Sequence, residues 1–173
     1  MTRHALSLLG LLALGGCGID AAPVRVGADA PDARVVDLAT GDTLSLTEHY
    51  GGQVTLVNIW ATWCGPCKEE IPALDSLYRE LGPKGLRIAA ISIDTDDGEK
   101  VRDWIAPFNV AFDLLHDQTG DIQQVYHTTG VPESFLVDKR GRIMRIVYGA
   151  APWTSTSNRR IVEELLAKDA GDS

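Results

Sequence analysis

Val54–Pro83 reads VTLVNIWATWCGPCKEEIPALDSLYRELGP, and the fold turns on how this stretch is divided. Residues 54–61 are almost continuously apolar and rich in β-branched side chains. That composition suits a strand buried on both faces of a sheet. Downstream, Ile71, Leu74, Leu77, Tyr78 and Leu81 recur at helical spacing, and Gly82-Pro83 ends the helix. Pro72 falls inside that pattern and predicts a kink. The chain therefore passes from a buried strand into a helix within a few residues, and Cys64 and Cys67 occupy the junction.

This placement has chemical consequences. A sulfur at a helix N-terminus faces unpaired backbone N–H groups and the positive end of the helix dipole. Both favour the thiolate, which is the nucleophilic form. Pro66 lies in the first turn, where its missing N–H costs nothing. Cys67, one turn on, reaches back to Cys64, so the pair can close a small disulfide and reopen it by exchange. Other readings of two cysteines at this spacing are weaker. A zinc half-site needs a second Cys or His pair, and the chain has no other CxxC. Haem attachment needs His after the second Cys, where Lys68 stands. A static bridge over so short a loop removes little unfolded-state entropy. A copper(I) carrier is the best rival, because soft thiolates suit that ion. The chain has only two methionines, Met1 and Met144, so a thioether-rich copper site is a poor fit.

Working outward, ARVVDL and TLSL around Gly41 predict a β-hairpin. LRIAAISID, 86–94, predicts a second buried strand. DDGEKVRDWIAPF predicts a helix with Val101, Trp104, Ile105 and Phe108 inward. AFDLLHD reads as a short strand and TGDIQQVYH as a short helix. SFLVD and IMRIVYG form a second hairpin, and TSTSNRRIVEELLAK a closing helix capped by one of its Ser or Thr residues. The pattern predicts an α/β fold: a mixed central sheet flanked by helices, with an N-terminal β-hairpin extension.

The 173 residues carry a formal net charge of −8, which argues against nucleic acid and against a polybasic grip on anionic lipid. Apolar content of 45% and charged content of 23% are those of a globular chain and make disorder, collagen and coiled coil poor readings. The first 16 residues form an address. Arg3 and His4 precede the apolar run Ala5–Gly16, too short to span a bilayer comfortably and built like a secretory signal peptide. Leu14-Gly15-Gly16-Cys17 resembles the lipobox of bacterial lipoproteins, in which the Cys becomes the lipid-bearing N-terminus. The rival is an ordinary cleaved signal, or an uncleaved anchor, with Cys17 an incidental thiol. Removing residues 1–16 leaves 157 residues with net charge −9. The expected organisation is a signal peptide at 1–16, a lipidated tether at 17–32, one domain at 33–168 and a frayed tail at 169–173. The second half of the tether reads nearly as well as an irregular segment packed on the domain edge.

Val57–Pro72, VNIWATWCGPCKEEIP, resembles the thioredoxin superfamily, and within it the extracytoplasmic TlpA/ResA-like branch. Gly130–Asp138, GVPESFLVD, followed by Arg140–Ile143 matches the same branch. The resemblance implies a thioredoxin-like fold, Cys64 as exposed nucleophile and Cys67 as buried resolving thiol. It also implies a cis peptide before Pro132, beside the cysteines, with Val131 backbone groups pairing an extended substrate. Trp63, Gly65, Pro66, Val131 and Pro132 are the expected substrate-binding residues. The acid that precedes the motif in thioredoxin is Asn58 here, so another group must take the proton of Cys67. Glu70, at i+3 from Cys67, and Glu133, after Pro132, are the candidates. Each is otherwise a solvated carboxylate, the reading that suits Glu69. Trp60 reads as core, and His49, His116 and His127 receive no role.

The function implied is protein disulfide reduction in the cell envelope, for example in cytochrome c maturation. Its partners would be protein thiols and disulfides, a membrane thiol reductase of the DsbD/CcdA kind, and the membrane itself through the lipid on Cys17. No cofactor, metal or nucleic acid enters this reading. A thiol peroxidase of the related peroxiredoxin group is the other enzymatic reading. It needs Pro and Thr seven and three positions before its cysteine, where Val57 and Ala61 stand.

Overall fold

The computed structural model describes residues 24–168. The signal segment, Cys17 and the tail 169–173 lie outside the described residues. Strand β1 (Arg34–Asp37) turns through Gly41, at φ +82°, into β2 (Thr43–Ser45). The second strand is one residue shorter than TLSL suggests. Ser45 ends it by accepting the Glu48 N–H at 3.2 Å, which starts the five-residue helix α1 (Leu46–Tyr50). Ser-x-x-Glu is a capping-box pattern, and here it overrides the alternation of the hairpin.

Strand β3 (Val54–Trp60) leads into α2 (Gly65–Leu81), and β4 (Leu86–Ser92) follows. Helix α3 (Gly98–Ile105) precedes β5 (Asp113–His116), and the short α4 (Asp121–Val125) comes next. Strands β6 (Glu133–Val137) and β7 (Ile143–Tyr148) form the second hairpin, and α5 (Thr156–Ala167) closes the chain. Ser155 caps α5, accepting the Asn158 N–H at 3.4 Å. The seven strands make one mixed sheet in the order β2-β1-β5-β4-β3-β6-β7. Strand β4 is parallel to β3 and β5; the other neighbours are antiparallel.

All seven residues of β3 are buried. Successive strand residues point to opposite faces, so both faces of the sheet centre are covered. Helix α2 packs against β4, and α5 against β3. The buried face of α2 carries Cys67, Glu70, Ile71, Leu74, Leu77 and Leu81. Each of the large apolar side chains, Ile71, Leu74, Leu77 and Leu81, contributes about 1.5–3 kcal/mol on removal from water. Pro72 lies on the exposed side of α2, where water can replace the hydrogen bond its ring removes.

Residues 24–32 run along the far hairpin. Asp29 bridges Arg142 in antiparallel fashion, Gly27 N–H donates to Ile143 O at 2.7 Å, and Ile143 N–H donates to Ala28 O at 2.8 Å. The Arg142 guanidinium donates to Gly27 O at 2.7 Å. Asp32 accepts the Ser45 hydroxyl at 2.8 Å and the Thr47 N–H at 3.0 Å. This part of the expected tether is therefore held on the domain edge by backbone pairing. Among the described residues no helix is long and apolar enough to cross a membrane.

Candidate active site

Cys64 has extended backbone geometry, φ −88° and ψ 108°, and is the N-cap of α2. Its Sγ accepts the Cys67 N–H at 3.1 Å. The two sulfurs are joined, so the structure holds the oxidised state. Cys64 is 5% exposed and Cys67 2%. The expected nucleophile thus lies almost as deep as its partner. A sulfur closed into a bridge, 3.4 Å from the Val131 carbonyl oxygen, is shielded from solvent. Exposure belongs to the rim: Trp63 is 69% exposed, and Gly65 and Pro66 are exposed beside it.

Sheet register brings the second motif to the first. Strand β6 pairs with β3 so that Ile59 faces Glu133 and Asn58 faces Ser134. The residues just before β6 therefore lie alongside those just after β3. The Val131–Pro132 peptide is cis, Val131 is half-buried and Pro132 is buried. On the other side of β3, register pairs Trp60 with Ser92. Two residues further on, Asp94 accepts the Thr62 N–H at 2.9 Å and the Thr62 hydroxyl at 2.6 Å. Ser92 donates to Asp94 at 2.6 Å, and the His116 ring nitrogen lies 2.8 Å from the Asp94 carbonyl oxygen. The loop that presents Cys64 is thus clamped to the end of β4.

The carboxylates occupy distinct environments. Glu70 is 3% exposed and its carboxyl accepts from the Trp153 indole N–H, from Ala151 N–H at 3.1 Å and from the Asn58 amide at 3.4 Å. The same Asn58 amide donates to Ser134 at 2.9 Å. Burial holds the Glu70 carboxyl above the usual glutamate range, against the opposing effect of these donors. Glu133 is also 3% exposed, and accepts the Thr129 N–H at 3.2 Å. Burial raises it too. Strand alternation turns Glu133 to the face opposite Ser134, away from Asn58 and Glu70. Glu70 therefore shares a helical face with Cys67, and Glu133 does not. Glu69 is exposed, and Trp60 is buried against Trp104.

Asp94, Ser134, Ala151 and Trp153 were not singled out in the sequence. Asp94 had a faint signal, since equal offsets from two parallel strand ends meet in space. Trp153 lies 83 positions from Glu70, and nothing local announces their contact.

A bridged Cys64–Cys67 pair at the mouth of a helix, set against a cis-proline on a thioredoxin-like sheet, defines the class: a thiol–disulfide oxidoreductase of thioredoxin type. The chain belongs to the AhpC/TSA family, whose profile matches residues 26–146. It is 35% identical to the thiol-disulfide oxidoreductase ResA of Oceanobacillus iheyensis over 129 residues, which cover 73% of this chain and 66% of that relative. It thus spans about two thirds of that protein's length. It is 33% identical to ResA of Bacillus thuringiensis subsp. konkukian over 126 residues, 73% of this chain and 71% of the relative. Among solved structures, the thioredoxin domain of a thiol-disulfide oxidoreductase from Bacteroides vulgatus superposes with a TM-score of 0.72 at 24% identity. It covers 83% of this chain and 99% of its own. At that identity the likeness establishes the fold alone.

Proposed function

We propose that this chain is an extracytoplasmic, membrane-tethered oxidoreductase that reduces disulfides in protein substrates. The observation that carries this reading is Cys64 Sγ capping α2 and accepting the Cys67 N–H at 3.1 Å. In the reduced protein the same N–H and the helix dipole favour a Cys64 thiolate. That thiolate attacks a substrate disulfide, forms a mixed disulfide and expels one substrate thiolate. Cys67 then loses its proton to Glu70 and attacks Cys64 Sγ. The Cys64–Cys67 bond forms, the mixed disulfide breaks and the second substrate thiolate leaves. Two electrons pass to the substrate, and the pair ends oxidised as the structure holds it. A membrane dithiol donor of the DsbD/CcdA kind restores it.

Val131 backbone groups would align an extended substrate, with Trp63, Gly65, Pro66 and Pro132 forming the rim. The reducing direction rests on Gly65-Pro66, the dipeptide of low-potential thioredoxin. Cytochrome c maturation is the substrate setting we favour. A reduction potential of the Cys64/Cys67 pair as high as about −120 mV would assign an oxidant instead. The Cys67→Ala variant should accumulate mixed disulfides whose partners identify the substrate. Absence of any trapped species, with tight copper(I) binding, would favour a carrier. We further propose that lipid on Cys17 tethers the domain to the membrane. Cys17→Ala should then move the protein to the soluble envelope fraction, and continued membrane association would sink the tether.

A further inference from the structure

We propose that Trp153 is the positioning residue of the proton relay. Its indole N–H, with the Ala151 N–H, holds Oε1 of Glu70 so that the proton exchanged with Cys67 is carried on Oε2. The proposal rests on Glu70 being the relay. Both Trp153 and Ala151 donate to Oε1. Among the described residues Oε2 meets only the Asn58 amide, at 3.4 Å, and that amide makes its shorter bond, 2.9 Å, to Ser134. A carboxylate with one oxygen occupied by two donors takes its proton on the other. Cys67, one turn back on the same face of α2, is the group that gives it up.

The donors are themselves fixed. Trp153 is 1% exposed, and its backbone N–H donates to Ala151 O at 2.9 Å. The carbonyl between them, Pro152 O, accepts from Ser155 N–H at 2.8 Å and from the Asn158 amide at 3.0 Å. Gly149, at φ +78°, donates its N–H to Pro132 O at 2.8 Å. One loop, 149–153, therefore grips both the cis-proline segment and Glu70, and sets the relay relative to the substrate-binding edge. The charged groups nearby are otherwise engaged or turned away. On α2, Lys68 and Glu69 are exposed. On β6, Glu133 faces the opposite side of the sheet. Arg145 on β7 shares the Glu70 face, but donates to Asn158 at 2.9 Å. Arg159 on α5 pairs with Glu80 and Glu163. Neutral donors, chiefly Trp153, are left to set the Glu70 carboxyl against its burial.

During resolution the Cys67 S–H proton moves to Oε2, and the Cys67 thiolate displaces the substrate thiolate from Cys64. The proton on Oε2 is then available to that leaving thiolate. Trp153→Phe removes the N–H and keeps an aromatic ring. In the oxidised protein, ¹³C NMR titration of the Glu70 carboxyl should move up by about one to two pH units, the loss of one hydrogen bond to a charged group. The pH profile of mixed-disulfide resolution should move alkaline by the same amount. In a Glu70→Gln background, Trp153→Phe should change neither rate nor profile. An unmoved Glu70 titration, or an equal slowing in the Glu70→Gln background, overturns the Trp153 assignment. Resolution at wild-type rate and pH dependence in Glu70→Gln alone overturns the relay beneath it. Should Trp153→Phe not fold, benzothienylalanine at 153, which exchanges only the N–H for sulfur, carries the same test.

Discussion

Glu70 and Glu133 are equally inaccessible, yet their chemistry differs because their surroundings do. Glu70 sits one turn from Cys67 under three donors, while Glu133 receives one backbone N–H on the other side of the sheet. The raised Glu70 carboxyl carries a stability signature. Its folded form holds the proton to higher pH than the unfolded chain does. The native state then binds more protons than the unfolded state as pH rises past the usual glutamate range. The stability from this group is full below that range and is lost as pH climbs through the raised value. Glu70→Gln cannot ionise, so its melting temperature should gain on the wild type as pH rises above the usual glutamate range. The gain is about 2–4 °C for each kcal/mol of relieved ionisation. Thermal melts across and above that range check this; a difference that stays flat with pH would show that Glu70 is not ionising over it.

At the scale of elements, the Cys64 loop hangs between two strand ends. Asp94 at the end of β4 takes the Thr62 N–H, the Thr62 hydroxyl and the Ser92 hydroxyl. Asp94→Ala leaves the buried Ser92 hydroxyl and the half-buried Thr62 donors without an acceptor. It should cost about 2–3 kcal/mol and lower the denaturation midpoint, with the slope of the transition unchanged. A loss within about 0.5 kcal/mol would show that the clamp is replaced by water. Most elements were legible beforehand, because apolar runs, helical spacing and Gly or Pro stops are local signals. Strand β3, the buried face of α2 and the cap of α5 follow directly from their own residues. Helix α1 departs from the hairpin expectation: Ser45 and Glu48 mark its start, but the alternation of TLSL runs on through Ser45 to Leu46 and masks it. Residues 24–32 carry no periodicity of their own, and pairing of Gly27–Ala30 with Gly141–Ile143 on the β6–β7 hairpin fixes them.

For the molecule as a whole, the direction of electron flow is written in the relative stability of the two redox states. Cross-linking Cys64 to Cys67 restrains the unfolded chain by about 2 kcal/mol in the chain-entropy treatment, little beside the longer loops of structural disulfides but enough to order the two states. A strong oxidant reverses this order by stabilising its reduced form. A reductant should therefore melt higher when oxidised than when reduced. Calorimetry with and without a dithiol checks this, and the opposite order would assign an oxidising role.

The residues alone determined the strand–cysteine–helix junction, the pairing of two sulfurs one turn apart and the alternation that builds the sheet. These depend on neighbours close along the chain. Tertiary structure alone decided that Asp94 clamps the loop, that Glu70 and Glu133 part to opposite faces, and that Trp153 reaches a carboxylate 83 positions away. Register and packing create those contacts. Burial then sets the charge of a carboxyl by removing water, which no local run of residues encodes.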